Sequence, residues 1–107
     1  MINILEYSDI TFPEDFLWGA TTAGQQIEGN NNSFYDDKEI APKLAYGGVP
    51  YQMAGRACNS YEMYKEDIAL LKKMHLNSYR MSLEWSRIEP VEGQFDEKEI
   101  KHYREVL

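Results

Sequence analysis

The eight residues "SYRMSLEW", Ser78 to Trp85, alternate apolar and polar side chains and lie between two segments of helical periodicity. In an extended chain Tyr79, Met81 and Leu83 fall on one face, and Arg80, Ser82 and Glu84 on the other. A strand with a helix before it and a helix after it belongs to a crossover sheet, whose parallel strands are joined through helices packed on its faces. Strands of that kind are covered on both sides and ordinarily read apolar throughout. Arg80 is therefore an anomaly. A guanidinium buried there requires a carboxylate partner, and paired charges inside a parallel sheet mark a site more often than scaffolding.

The neighbouring elements can be bounded in the same way. Asn59 and Glu62 have the spacing of a capping box, which predicts a helix starting there. Tyr61, Tyr64, Ile68 and Leu71 follow at helical steps, with Met63, Asp67, Leu70 and Met74 on the adjoining stripe. One broad face is thus buried, and Lys65, Glu66, Lys72 and Lys73 look to water. The helix is expected to end near Met74, where the basic pair suits the negative end of the dipole, with His75 in the left-handed position that closes it. Asp96 and Glu99 repeat the capping spacing ahead of a second helix, whose apolar stripe runs through Ile100, Tyr103 and Leu107, with His102 exposed. Upstream, Phe16 to Ala20 reads as a buried strand in which Gly19 and Ala20 permit close backbone approach. Asn30 to Arg56 keeps neither period and reads as a long loop.

Strand, helix, strand, helix is the repeat of a doubly wound sheet or of a (β/α)8 barrel. A barrel needs eight strands and typically about 250 residues. The chain has 107 residues and its last apolar stripe is still running at Leu107. Residues 1–107 are therefore expected to be the N-terminal fragment of one larger domain, whose remainder covers strand edges that would otherwise invite pairing.

Composition excludes several functions. Eleven Lys and Arg against 18 Asp and Glu give a formal charge of -7, which repels phosphate backbones and makes nucleic acid a poor partner. The single cysteine, Cys58, cannot close a disulfide within the chain and reads as a small buried hydrophobe. Acidic residues at the start, and no long apolar run anywhere, suggest neither a secretory leader nor a membrane span, and a cytoplasmic location is expected. No Gly-rich phosphate loop, zinc-type His pair or EF-hand spacing occurs. The acidic clusters "YDDKE" and "FDEKE" read as solvated surface, and no cofactor or metal is expected.

Four segments carry a resemblance: "FPEDFLWGATTAGQQIEG", "ACNSYEMYKEDIALLKKM", "YRMSLEWSRIEP" and "EGQFDEKEIKHYREVL". In order and spacing they resemble the N-terminal part of glycoside hydrolase family 1, the β-glucosidase and 6-phospho-β-glycosidase family. The resemblance implies an α/β fold, the first two βα units of a (β/α)8 TIM barrel. It also implies a retaining β-glycosidase activity for the complete protein, with a small β-glycoside as substrate.

By the same resemblance Gln26 falls on the glutamine that hydrogen-bonds two sugar hydroxyls, a task suited to an amide because it both donates and accepts. Arg80 falls on the arginine that holds the catalytic nucleophile, whose charge would keep that glutamate ionised. Trp85, at the end of its strand, is a candidate wall of the site or a packing residue. Glu28 belongs to the structural signature and is assigned no catalysis, and Glu84 is expected to form a structural ion pair.

The departures are Gln25 where an aromatic residue or Asn is usual, Asn30 for a small residue, and Tyr35 for the Trp that commonly precedes Asp36. "CNSY" and His75 also differ from the usual pattern. They leave the sugar preference open.

Retaining glycosidases need two carboxyl groups roughly 5 Å apart. The family supplies them from Thr-x-Asn-Glu-Pro and Thr-Glu-Asn-Gly segments, and neither is present in these 107 residues. The reacting glutamates are thus expected beyond Leu107, in the same or a second chain. The alternative is an inactive relative, or one part of a split enzyme, that binds sugar or a partner without catalytic carboxylates of its own.

Overall fold

The computed structural model describes residues 11–43, 45–46 and 49–107. The reading of the first ten residues as free of a leader lies outside them. In chain order the elements are β1 (Gly19–Thr21), α1 (Gly24–Ile27), a 3-10 turn (Ala41–Lys43), β2 (Ala45–Tyr46), β3 (Val49–Pro50), α2 (Ser60–Lys73), β4 (Ser78–Arg80), α3 (Trp85–Ile88) and α4 (Glu97–Val106). β1 and β4 pair in parallel, Gly19 opposite Ser78 and Thr21 opposite Arg80, with α2 carrying the chain between them. This is the crossover that the alternation at Ser78 to Trp85 required.

β1 is shorter and later than expected. Phe16, Leu17 and Trp18 precede it rather than form it, and all are exposed, Leu17 by 67%. Phe12, Phe16 and Trp18 instead pack on one another, with ring centroids 4.6 to 4.8 Å apart. Gly19 is required by contact, since a Cβ there would meet the Ser78 carbonyl oxygen at 2.9 Å. Asn77 extends the pairing below the strand: its Oδ1 accepts from Trp18 N at 2.7 Å and its Nδ2 donates to the Phe16 carbonyl at 3.1 Å. Asn77→Ala is expected to lower stability by about 1 kcal/mol, the net worth of such bonds at an exposed position, as read from the urea midpoint.

The region read as a loop contains the antiparallel pair β2 and β3 and the 3-10 turn. Elements of two or three residues carry no measurable period, so the sequence could not announce them.

α2 begins one residue after Asn59, but the capping box is absent. Asn59 lies at φ 57°, in the left-handed region, and its side chain makes no cap bond. The long-range acceptor is the Glu28 carbonyl, which takes the Tyr61 N–H at 3.3 Å, while Ser60 Oγ donates to Asp67 at 2.6 Å. At the other end the expectation holds. His75 has φ 58°, its N–H donates to the Lys72 carbonyl, and Leu76 N–H donates to the Leu71 carbonyl, which is a Schellman closure.

Tyr61, Tyr64, Ile68 and Leu71 are half-buried as expected, and the four charged residues face water. Met63, Leu70 and Met74 of the adjoining stripe are exposed, because the described residues cover α2 along one narrow face only.

The alternation after Arg80 also breaks. β4 ends there, Leu83 is exposed, and Glu84 is buried at the start of α3. α4 starts as read, with Asp96 Oδ1 accepting from Lys98 N at 2.8 Å and Glu99 N at 3.3 Å. Tyr103 is buried on its inner face, but Leu107 is 85% exposed. His102, read as exposed, is half-buried and stacks on Tyr61 at 4.0 Å. Cys58, read as buried, is exposed in the turn before α2.

Among the described residues the buried apolar side chains are Ala41, Ile88 and Tyr103, matched by the buried polar Glu28, Ser60 and Glu84. The radius of gyration is 18.6 Å, against about 13 Å for a compact domain of this size. No helix among the described residues is long and apolar enough to cross a membrane.

Candidate functional site

The parallel register brings the ends of β1 and β4 to the same side. Thr21 lies opposite Arg80, and Thr22 N donates to the Arg80 carbonyl at 3.0 Å. Each strand then leads into a one-turn helix, β1 into α1 with Gln26 and β4 into α3 with Trp85. The two exits are joined where Gly24 N donates to Ser82 Oγ at 2.8 Å. Gln26 is exposed on α1.

Arg80 ends β4 opposite Thr21. It is exposed, and its hydrogen bond among the described residues goes to Thr21 Oγ1 at 3.4 Å, with no carboxylate partner. No layer of described residues packs over the polar face of β4, so among them the guanidinium meets no carboxylate.

Trp85 is not the end of the strand but the first residue of α3, 56% exposed. Its indole N–H donates to Glu89 Oε2 at 2.8 Å, leaving the ring face as its free surface. Glu89 Oε1 accepts from Gly93 N at 2.7 Å, and this bond, with that from Trp85, lowers the Glu89 pKa from its usual value. Trp85 lines an open groove of about 420 Å³ with Gln25, Asn32, Phe34, Tyr35 and Ser86. Gln25 rather than Gln26 faces that groove, and its Nε2 is buried without a hydrogen-bond partner among the described residues. Gln26 and Arg80 therefore share one end of the sheet, while Trp85 belongs to the adjoining groove.

The buried charge among the described residues lies at Glu28, which the resemblance gave to the structural signature, and at Arg87, which the sequence reading did not single out. Arg87 Nε pairs with Glu28 Oε2 at 3.1 Å, and both side chains are largely buried, 16% and 7% exposed. The Arg87 Nη2 donates to the Gly29 carbonyl at 2.6 Å and to Asn31 Oδ1 at 3.1 Å, and the guanidinium lies 4.0 Å over the Tyr61 ring. Tyr103 Oη donates to Glu28 Oε2 at 2.7 Å and accepts from Glu84 N at 3.2 Å. Among the described residues Glu84 forms no ion pair. It caps α3, accepting from Ser86 N at 3.3 Å and Ser86 Oγ at 2.8 Å. Helical spacing could not reveal Arg87, because α3 is only four residues long.

Gly29 follows with φ 81°, against the Arg56 carbonyl, where a side chain has no room.

Burial raises the Glu28 pKa above 4.5, opposed by the Tyr103 hydrogen bond and by Arg87. Tyr103 is pushed well above its ordinary value by burial and by donating to Glu28, and Tyr61 likewise by burial and by donating to Glu99 at 2.7 Å. Above pH 4.5 and up to the raised value, the folded protein binds more protons at Glu28 than the unfolded chain. Stability is thus greatest with Glu28 protonated and falls as pH rises through the folded pKa. Glu28→Gln is expected to remove that decline, which urea titrations from pH 4 upward would detect as a flatter profile. A slope identical to wild type would refute it.

The sequence model of glycosyl hydrolase family 1 matches residues 8–107. The chain belongs to that family. Beta-glucosidase A of Acetivibrio thermocellus is 38% identical over 101 residues, covering 91% of this chain and 22% of that protein. Myrosinase 1 of Brevicoryne brassicae is 36% identical over 105 residues, covering 92% and 23%. Among solved structures, a beta-glucosidase from Thermotoga maritima in complex with castanospermine superposes with a TM-score of 0.74 at 33% identity, covering 89% of this chain and 22% of that one. The chain spans about a fifth of the length of these relatives. The resemblance carried by the four segments is borne out, and the family 1 relatives are glycoside hydrolases by name.

Proposed function

We propose that the full-length protein is a retaining β-glycosidase in which residues 1–107 form the first two βα units of a single (β/α)8 barrel and one wall of the glycone site. The observation that carries this reading is the parallel register. Arg80 ends β4 and Gln26 follows β1, so both lie at the carboxyl end of the same strand pair, the end at which barrel enzymes hold their chemistry, and both are positions that the resemblance gives to the sugar site. Gln26 hydrogen-bonds adjacent sugar hydroxyls through its carbonyl and its NH2. Arg80 points its charge at the nucleophilic glutamate, keeping it ionised and oriented for attack on the anomeric carbon. Trp85 contributes an aromatic face beside the site. The acid/base and nucleophile glutamates come from outside residues 1–107.

The test begins with the intact mass of the protein as its source makes it, followed by hydrolysis of an aryl β-glucoside. Turnover with retention of anomeric configuration supports the reading. Sugar binding without turnover would instead establish an inactive relative, and a mass near 12.5 kDa would require a second polypeptide. In the active protein Gln26→Ala is expected to lower kcat/KM at least tenfold or so, the scale for leaving sugar hydroxyls without their partner.

A further inference from the structure

We propose that Arg87 and Asn31 form a positioning relay for Gln26, an inference that rests on the glycone role given to Gln26 above. α1 is a single turn of four residues, and Ala23 at its N-cap offers no side-chain cap. An isolated turn pays the cost of nucleation without propagation, so it cannot hold one conformation unaided. The constraint comes from Arg87 on α3. Its Nε fixes the Glu28 carboxylate, at the C-cap of α1, and its Nη2 fixes the Gly29 carbonyl just beyond.

The same Nη2 donates to Asn31 Oδ1 at 3.1 Å, which sets the orientation of that amide. Asn31 Nδ2 is then directed to the Gln25 carbonyl, at 3.1 Å. Gln26 is thus bracketed. The peptide before it is held through Asn31, and the residues after it are held by Arg87 directly. Arg87 is itself pinned from a third element by the Tyr61 ring beneath it. Neither Arg87 nor Asn31 needs to touch substrate. What they fix is the backbone from which the Gln26 amide reaches, and a displacement of that backbone misaligns both of its hydrogen bonds together.

A double-substitution cycle in the full-length protein separates this role from a merely structural one. The substitutions are Asn31→Ala, Gln26→Ala and the pair, with kcat/KM read on an aryl β-glucoside. Asn31→Ala alone is expected to lower kcat/KM by about tenfold, the scale of a lost hydrogen bond. In the Gln26→Ala background it is expected to lower it no further, because the group it positions is gone. Arg87→Lys is expected to match Asn31→Ala, since an ammonium keeps the charge beside Glu28 but cannot reproduce the fork to Gly29 and Asn31. Losses that multiply, an Asn31→Ala protein as active as wild type, or full activity in Arg87→Lys would each overturn the relay. A Gln26→Ala protein with unchanged kcat/KM would overturn the glycone role itself, which the other outcomes leave standing.

Discussion

Replacing Arg87 with methionine is expected to destabilise the protein by about 3 kcal/mol at neutral pH. Methionine keeps much of the length of the side chain, so the loss is electrostatic rather than a cavity. Arg87 is the sole cation within ion-pair distance of Glu28 among the described residues, and Glu28 is buried beside the Tyr103 hydroxyl. Without it a carboxylate is left buried with one hydrogen-bond donor from Tyr103, which does not repay its desolvation. The carboxyl then takes up a proton more readily still, and its pKa, already raised by burial, moves further upward.

The deficit should therefore shrink as the pH falls and Glu28 becomes neutral in both proteins. Equilibrium urea unfolding at neutral pH and near pH 4.5 measures both quantities. A deficit independent of pH would mean that Arg87 stabilises through packing on Tyr61 instead.

The largest effect on turnover is expected at Arg80. In the full-length protein Arg80→Met should lower kcat on the order of 10²-fold, the scale seen when one preorganised electrostatic donor is removed from a reacting group. It should also move the acidic limb of the pH–rate profile upward, because a glutamate without its neighbouring cation ionises at higher pH. Folding should be little affected. Among the described residues Arg80 is exposed and makes one long hydrogen bond, to Thr21, so its removal leaves none of their buried groups unpaired. A substituted protein with unchanged kcat and an unmoved acidic limb would sink the assignment of Arg80 to the nucleophile.

Glu28 keeps the structural part that the resemblance gave it, but its partner Arg87 was not foreseen. The alternation around Arg80 predicted a buried pair; among the described residues the buried pair is that of Glu28 with Arg87. Periodicity registers which residues share a face of an element. It does not register whether another layer lies over that face, and for β4 none of the described residues does. Arg87 sits in a helix of one turn, too short for any periodic signal, and its partner is 59 positions away. Nothing local could join them.

Some features are decided within a few residues and were legible as written. The left-handed closure at His75 depends on a basic last turn and on a residue tolerant of positive φ. The start of α4 depends on the reach of Asp96 to two amides. The half-buried face of α2 follows from helical spacing. The parallel pairing of β1 with β4 agrees with the order of elements, because parallel neighbours need a crossover of the kind that a helix supplies.

The sequence by itself also determined the family, through motifs whose order and spacing span nearly the whole chain. Only the tertiary structure decided which charges are buried and what caps α2. It also decided that Asn31 and Arg87 bracket Gln26, since each of these rests on groups brought together from distant parts of the chain.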